Sequence, residues 1–282
     1  MTSEQRYLMK EEELYLIGEA AEKVRCSRKA LRFYDSIGIL PSERIADNGY
    51  RYYSKNTLLI VPVIKYYKQM GFQIDEMRDL IKGTTFGTIS RIFSEKLDEL
   101  TCLQEHIAHQ YRSVHDWNSM ISEAMEVIDH QAVEVGARFF EPDQYLFFEQ
   151  PYKADYRDAV INLEFTNYIE SVGNKITGPV IRHFGSLKDR LAGTLDTQTM
   201  LQKPLKAASP DQLTAFGGKV MLCAYHIGSY DTVFETYERI IDWASRHHYR
   251  CESGVYERYV VDRWLTNDND QLVTQIIMES SR

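Results

Sequence analysis

Two groups of residues in this 282-residue chain have the types and spacing to do chemistry. The first centres on Glu257, in the run GVYERYV from Gly254 to Val260. Strand alternation puts Val255, Glu257 and Tyr259 on one face and Tyr256 and Arg258 on the other. A carboxylate in so apolar and aromatic a strand is costly to bury unless something cationic meets it. Aromatic faces attract cations too, by roughly 0.5–2 kcal/mol each. If buried, Glu257 therefore calls for a cationic partner; its plainer reading is an exposed residue paired with Arg258 or Arg263. The second group lies near the start. Arg32–Phe33–Tyr34 and Arg51–Tyr52–Tyr53 flank a loop holding Pro41 and Asn48–Gly49. Arginine makes bidentate phosphate contacts, and a tyrosine hydroxyl donates one more. The expected DNA contacts are Arg28, Lys29, Arg32, Tyr34, Arg44, Arg51 and Tyr52.

The elements that must hold the second group are legible in outline. Residues 16–23 read as a short helix. Ser27 is an N-cap for a second helix to about Ser36, on which Ala30, Leu31 and Tyr34 form an apolar stripe. Two short helices with a tight connection make a helix-turn-helix, and a basic second helix suits the DNA major groove. Residues 43–53 read as a β-hairpin turning at Asp47–Asn48–Gly49, which makes the unit a winged helix. Pro62 lies in the next helical pattern and predicts a kink or a late helix start. Residues 74–82 form a further short helix. Charge agrees in sign: residues 14–82 carry 12 Lys/Arg against 8 Asp/Glu, although the whole chain is −8. A basic head on an acidic body suggests nucleic-acid binding by the head.

From Thr88 to about Asp129 there is no Gly and no Pro. The stripe Phe93, Leu97, Leu100, Gln104, Ile107, Tyr111, Val114, Asn118, Ile121, Met125 and Ile128 alternates spacings of four and three, a heptad repeat. Gln104 and Asn118 both fall at position a, where a buried amide fixes register at some cost in stability. A dimeric coiled coil is favoured over one long helix packed on its own domain. His106 and His109 fall at solvent-facing positions c and f rather than as a metal pair. Beyond residue 133 the period shifts towards two. Strand–helix–strand–strand occurs twice, with helices at 155–171 and 231–246. Paired, two such units would leave a cleft, where small-molecule pockets usually lie.

Other classes find little support. Cys26, Cys102, Cys223 and Cys251 are scattered without a CxxC pair, so reduced thiols are expected. No metal or cofactor is called for, and GxSxG, HExxH, P-loop and GxGxxG motifs are absent. No run approaches the roughly 18 apolar residues that cross a bilayer. The polar start is neither signal nor transit peptide, so a cytoplasmic protein without membrane partners is expected.

The segments LIGEAAEKVRCSRKALRFYDSIGIL, NGYRYYS and KYYKQMGFQIDEMRDLI resemble, in order and spacing, the MerR family of transcription regulators. The resemblance covers residues 14–82. It implies a homodimer, paired antiparallel through the long helix, on a pseudo-palindromic double-stranded promoter. The spacer between the promoter elements is too long for RNA polymerase, and the activated dimer distorts it to align them. The doubled pattern and GVYERYV resemble the GyrI-like effector domain of BmrR-type multidrug regulators. That resemblance implies a hydrophobic, cationic effector accepted by Glu257. It also matches Tyr225 to a pocket tyrosine, with Phe147, Tyr152, Trp243 and Trp264 as looser candidates. Some GyrI-like domains resemble hydrolases, and a Glu257–Tyr225 acid–base pair acting on an electrophile is the alternative; a constitutive architectural protein is a third reading. The expected architecture is α+β and multidomain: a polar extension at 1–13, a winged helix-turn-helix at 14–82, a dimerisation helix at 88–130 and an effector domain of two repeats at 134–280.

Overall fold

The computed structural model describes residues 13–156, 160 and 162–282. The polar extension therefore lies outside the described residues except for Glu13. The chain divides into two compact units, residues 1–104 and 105–282.

The first unit is built on helices α1 (Ile17–Lys23) and α2 (Arg28–Ser36). Ser27 caps α2: its hydroxyl oxygen accepts from the Ala30 N–H at 3.1 Å. This satisfies a donor the helix itself leaves open. Leu31 and Tyr34 turn inward onto Ile17 and Ala20, so the apolar stripe of α2 faces the core and its cationic residues stay outside. The wing is strands β2 (Arg44–Ile45) and β3 (Arg51–Ser54), with Gly49 at φ 79° in the turn between them. The sequence reading missed a third strand, β1 (Leu14–Leu16), which pairs β3 with Leu14 opposite Ser54. Three residues are too few to show a period. Pro62 acts as a restart: α3 (Lys55–Leu58) stops and α4 (Ile60–Gln69) begins two residues later. Pro62 then sits in the first turn of α4, where a missing N–H costs nothing. Helix α5 (Ile74–Ile81) follows, and Ile89, Ile92 and Phe93, from the start of the 44-residue α6 (Phe86–Asp129), pack on the same core.

The second unit is an eight-stranded antiparallel sheet. Its strands are β4 (Gly136–Phe140), β5 (Asp143–Pro151), β6 (Ile181–Phe184), β7 (Thr197–Gln202), β8 (Leu213–Phe216), β9 (Lys219–Ile227), β10 (Arg250–Val261) and β11 (Val273–Ser281). Their spatial order is β4-β9-β11-β10-β6-β7-β5-β8. The repeat is present as β5–α7–β6–β7 and β9–α9–β10–β11, with α7 at Leu163–Ser171 and α9 at Val233–Arg246. The halves join where β10 pairs β6, with Glu257 opposite Arg182. Helix α7 starts later than its pattern suggested. Asn162 is extended and caps it, its side-chain oxygen accepting from the Phe165 N–H at 2.8 Å. Of the expected helical stretch 155–171, residues 157–159 and 161 lie outside the described residues. Two elements were not foreseen: edge strand β8, and α8 (Leu187–Ala192), capped by Ser186 and ended by Gly193 at φ 68°.

Helices α7 and α9 cover one face of the sheet through Phe165, Ile169, Tyr237 and Ile240. Towards the other face, Met120, Ala124 and Val127 of α6 pack with Val260, Val261 and Val273. Buried side chains fill the β6–β10 seam where a cleft was expected; a smaller cavity of ≈ 320 Å³ lies between the halves, lined by Ala154–Tyr156, Ser229–Asp231 and Arg263.

Candidate functional site

On the first unit α2 and the wing divide the expected DNA contacts into two sets. Arg28, Lys29, Arg32 and Arg44 are exposed, and the Arg44 guanidinium lies 5.4 Å from the centre of the half-buried Tyr52 ring. Tyr34 is different. It is buried, and its hydroxyl oxygen accepts from Lys68 Nζ at 2.7 Å, because Tyr34 belongs to the apolar stripe of α2. Arg51 is half-buried and spans from wing to helix, its Nε 2.5 Å from Asp35 Oδ2. Burial acts to raise the Asp35 pKa, but the Ser42 N–H and the Arg51 guanidinium outweigh it and hold the carboxyl below its ordinary value. Tyr34 and Arg51 therefore shape the surface that the four exposed cations occupy.

The second unit holds a buried ionic cluster at the β6–β10 seam. Glu257 has no solvent exposure. Arg190 of α8 reaches its Oε1 with Nε at 3.0 Å and Nη2 at 2.6 Å. The Tyr237 hydroxyl donates to Oε1 at 2.7 Å and the Tyr259 hydroxyl to Oε2 at 2.5 Å. Arg182 stands 3.9 Å from Oε2. It is held elsewhere, donating to Gln198 Oε1, to the Tyr259 hydroxyl and to the Lys153 carbonyl. Arg190 also donates to the hydroxyls of Tyr152 and Tyr156 at 3.2 and 2.5 Å. Its guanidinium carbon lies 4.7 Å from the Phe234 ring centre, 4.8 Å from Phe184 and 5.8 Å from Tyr237. Burial pushes the Glu257 carboxyl up. The charges of Arg190 and Arg182, with the Tyr259 and Tyr237 hydroxyls, overcome this and hold it below the ordinary glutamate value. Glu257 is thus a carboxylate inside an aromatic cage that already contains a cation.

Residues 15–84 match the family model for MerR HTH family regulatory proteins, and residues 192–279 match that for the GyrI-like small molecule binding domain. The chain is a MerR-type regulator with a GyrI-like domain. It is 21% identical to the multidrug-efflux transporter 2 regulator of Bacillus subtilis over 94% of this chain and 96% of that protein. It is 36% identical to the multidrug-efflux transporter 1 regulator of Bacillus subtilis over 34% of this chain and 37% of that protein. Among solved structures it is similar to EcmrR in the cryo-EM EcmrR–DNA complex, at 17% identity and a TM-score of 0.44, covering 95% of this chain and all of that one. No helix among the described residues is long and apolar enough to cross a membrane.

Of the six residues nominated for the pocket from the GyrI-like resemblance, two meet. Glu257 and Tyr152 share Arg190. Tyr225 does not join them. It stands opposite Gln275, in the same row as Arg258, so it faces away from Glu257. Its hydroxyl donates to Glu123 of α6 at 2.8 Å, so an acid–base pair of Glu257 and Tyr225 does not form. Phe147 pairs in register with Leu201 and packs in the cluster around Tyr256 on that opposite face. Trp243 stacks on His247 with centroids 3.9 Å apart, and Trp264 is 67% exposed. The reading missed Arg182, Arg190, Tyr156 and Tyr237. Arg182 carried the same signal as Glu257, a charge inside an apolar strand. For Arg190 the signal was weaker: Ser186 and Gly193 bracket a helix of only six residues. Gln150, in register with Gln198, has no partner for either amide atom, and the buried Tyr230 hydroxyl also lacks one.

Along α6 the stripe nominated for dimerisation stays uncovered in the single chain. Leu97, Leu100, Ile107, Tyr111, Val114 and Ile121 are all exposed, and so are Gln104 and Asn118.

Proposed function

We propose that this regulator is a homodimeric, ligand-responsive transcription activator whose effector is a hydrophobic cation. The dimer forms by antiparallel pairing of α6 and presents Arg28, Lys29, Arg32, Arg44 and Tyr52 to a pseudo-palindromic promoter. With the effector bound at Glu257, it distorts the promoter spacer so that RNA polymerase can use both elements. Such distortion costs free energy that depends on DNA sequence, which makes it controllable. One observation carries the effector class: a fully buried carboxylate paired with a guanidinium that the rings of Tyr152, Tyr156, Phe184, Phe234 and Tyr237 surround. That is cation-binding chemistry. The likeness to a multidrug-efflux regulator along 94% of the chain agrees with it.

The test is promoter binding and run-off transcription with the full-length protein, with and without tetraphenylphosphonium. Specific binding at moderate salt and ligand-dependent transcript are expected. Absence of specific binding would sink the DNA reading, and ligand affinity unchanged by Glu257→Gln would sink the effector reading.

A further inference from the structure

The Glu257 cage is full, and its occupant is part of the chain. Arg190 supplies the positive charge, the hydrogen bonds and the ring contacts that a cationic ligand would supply. It does so from α8, and among the six residues of that helix Arg190 alone is buried. Leu191 is 43% exposed and Leu187 is only partly covered. The outer side of α8 faces an open cleft of ≈ 830 Å³, lined by Leu187, Lys188 and Leu191 and by Arg250–Ser253 at the start of β10. A helix of under two turns is thus held to the domain by the group that fills the site and by the partly covered Leu187, with open space on its outer side.

We infer that Arg190 is an internal competitor for the effector: a lipophilic cation enters the cage by displacing the Arg190 guanidinium from Glu257, and α8 swings out with it. This rests on the reading that the effector is a cation met by Glu257. Charge conservation favours exchange over simple addition. A second cation beside Arg190 and Arg182 would leave the Glu257 carboxylate facing three positive charges in a buried site. Replacing Arg190 keeps Glu257 neutralised throughout. Arg182 cannot take over the pairing without giving up its bonds to Gln198 and to the Lys153 carbonyl. Arg190 thereby also sets specificity. A neutral ligand of the same shape cannot replace the ion pair and would leave Glu257 with Arg182, 3.9 Å away, as its counter-charge.

A competitor tethered in place lowers apparent affinity by the fraction of time the site is vacant. Arg190→Gln should therefore bind tetraphenylphosphonium at least about tenfold more tightly than the wild type, measured by calorimetry on the full-length protein. In the wild type, saturating tetraphenylphosphonium should speed amide hydrogen exchange in residues 187–192. The exchange experiment needs no variant, so it decides the matter even if Arg190→Gln does not fold. Wild-type binding that depends on Glu257, with equal or weaker binding by Arg190→Gln and unchanged or slower exchange in α8, would overturn the displacement alone. No binding by either protein would overturn the cationic-effector reading, and the displacement with it.

Discussion

Glu257 and Arg190 form a pair whose removal and titration are separable. Deleting one partner of a buried ion pair costs about 3–5 kcal/mol, because the other charge is left buried alone. Glu257→Gln should lower unfolding stability by that order at neutral pH, read from denaturant titration. The pH dependence follows from the sign of the shift. The folded-state pKa of Glu257 lies below its unfolded value, near 4.3. Its contribution is complete above that pH and is lost as pH falls through the folded value. The gap between wild type and Glu257→Gln should therefore narrow on acidification below about pH 4, and a constant gap would contradict the assignment. The head offers a second contrast. Arg32 is exposed, so Arg32→Ala should reduce the slope of log affinity against log salt by about 0.9, the share of one phosphate contact. Tyr34→Phe should leave that slope unchanged, since the Tyr34 hydroxyl faces Lys68 inside the fold. Alternation gave the face of Glu257, and the GyrI-like resemblance nominated it for the pocket. Neither could show that the cation meeting it was internal, because Arg190 is 67 positions away in the chain.

Strand β10 connects two environments with adjacent residues. Glu257 points to the cage, and Arg258 points to α6, where Nη1 and Nη2 lie 2.6 and 2.8 Å from the two oxygens of Glu123. Tyr225 donates to the same carboxylate. Burial acts to raise the pKa of Glu123, and Arg258, with the Tyr225 hydroxyl and the Arg138 charge, more than reverses it. On the proposed reading, an effector that alters how Glu257 is held would pull on the strand that anchors the long helix. Arg258→Met should keep tetraphenylphosphonium affinity within a few-fold of wild type and weaken the ligand-dependent rise in transcript. Full transcriptional response in that variant would exclude this route. The elements that carry the link were readable in the sequence where they are long and periodic, as with α6, α9 and β10. Those missed were short: β1 with three residues, β8 with four and α8 with six. In such elements tertiary partners decide the conformation, and a period cannot be counted.

At the scale of the whole molecule α6 has two apolar faces with different fates. Met120, Ala124 and Val127 are buried within the second unit, whereas Leu97, Ile107, Val114 and Ile121 stand in solvent. The sequence showed the exposed stripe because it is strictly heptadic; it hid the buried one, which occupies only the last third of the helix. A row of apolar residues this long is not stable in water and calls for a partner helix. Val114→Lys should yield a monomer by sedimentation and abolish high-affinity promoter binding, since a single head grips one half-site. Direction of pairing is testable with cysteines. Leu97 and Ile121 are 24 residues apart, roughly 36 Å along a helix, and a disulfide needs Cα atoms within about 7 Å. With Cys102 replaced by Ser, Leu97→Cys alone cross-links to its own copy in a parallel dimer but not in an antiparallel one. The antiparallel arrangement predicts that Leu97→Cys and Ile121→Cys each stay uncross-linked on oxidation. Both cysteines together should then give a covalent dimer, because each end of the stripe meets the other end of its partner. Efficient cross-linking of Leu97→Cys alone would establish parallel helices and overturn the promoter geometry proposed for the two heads.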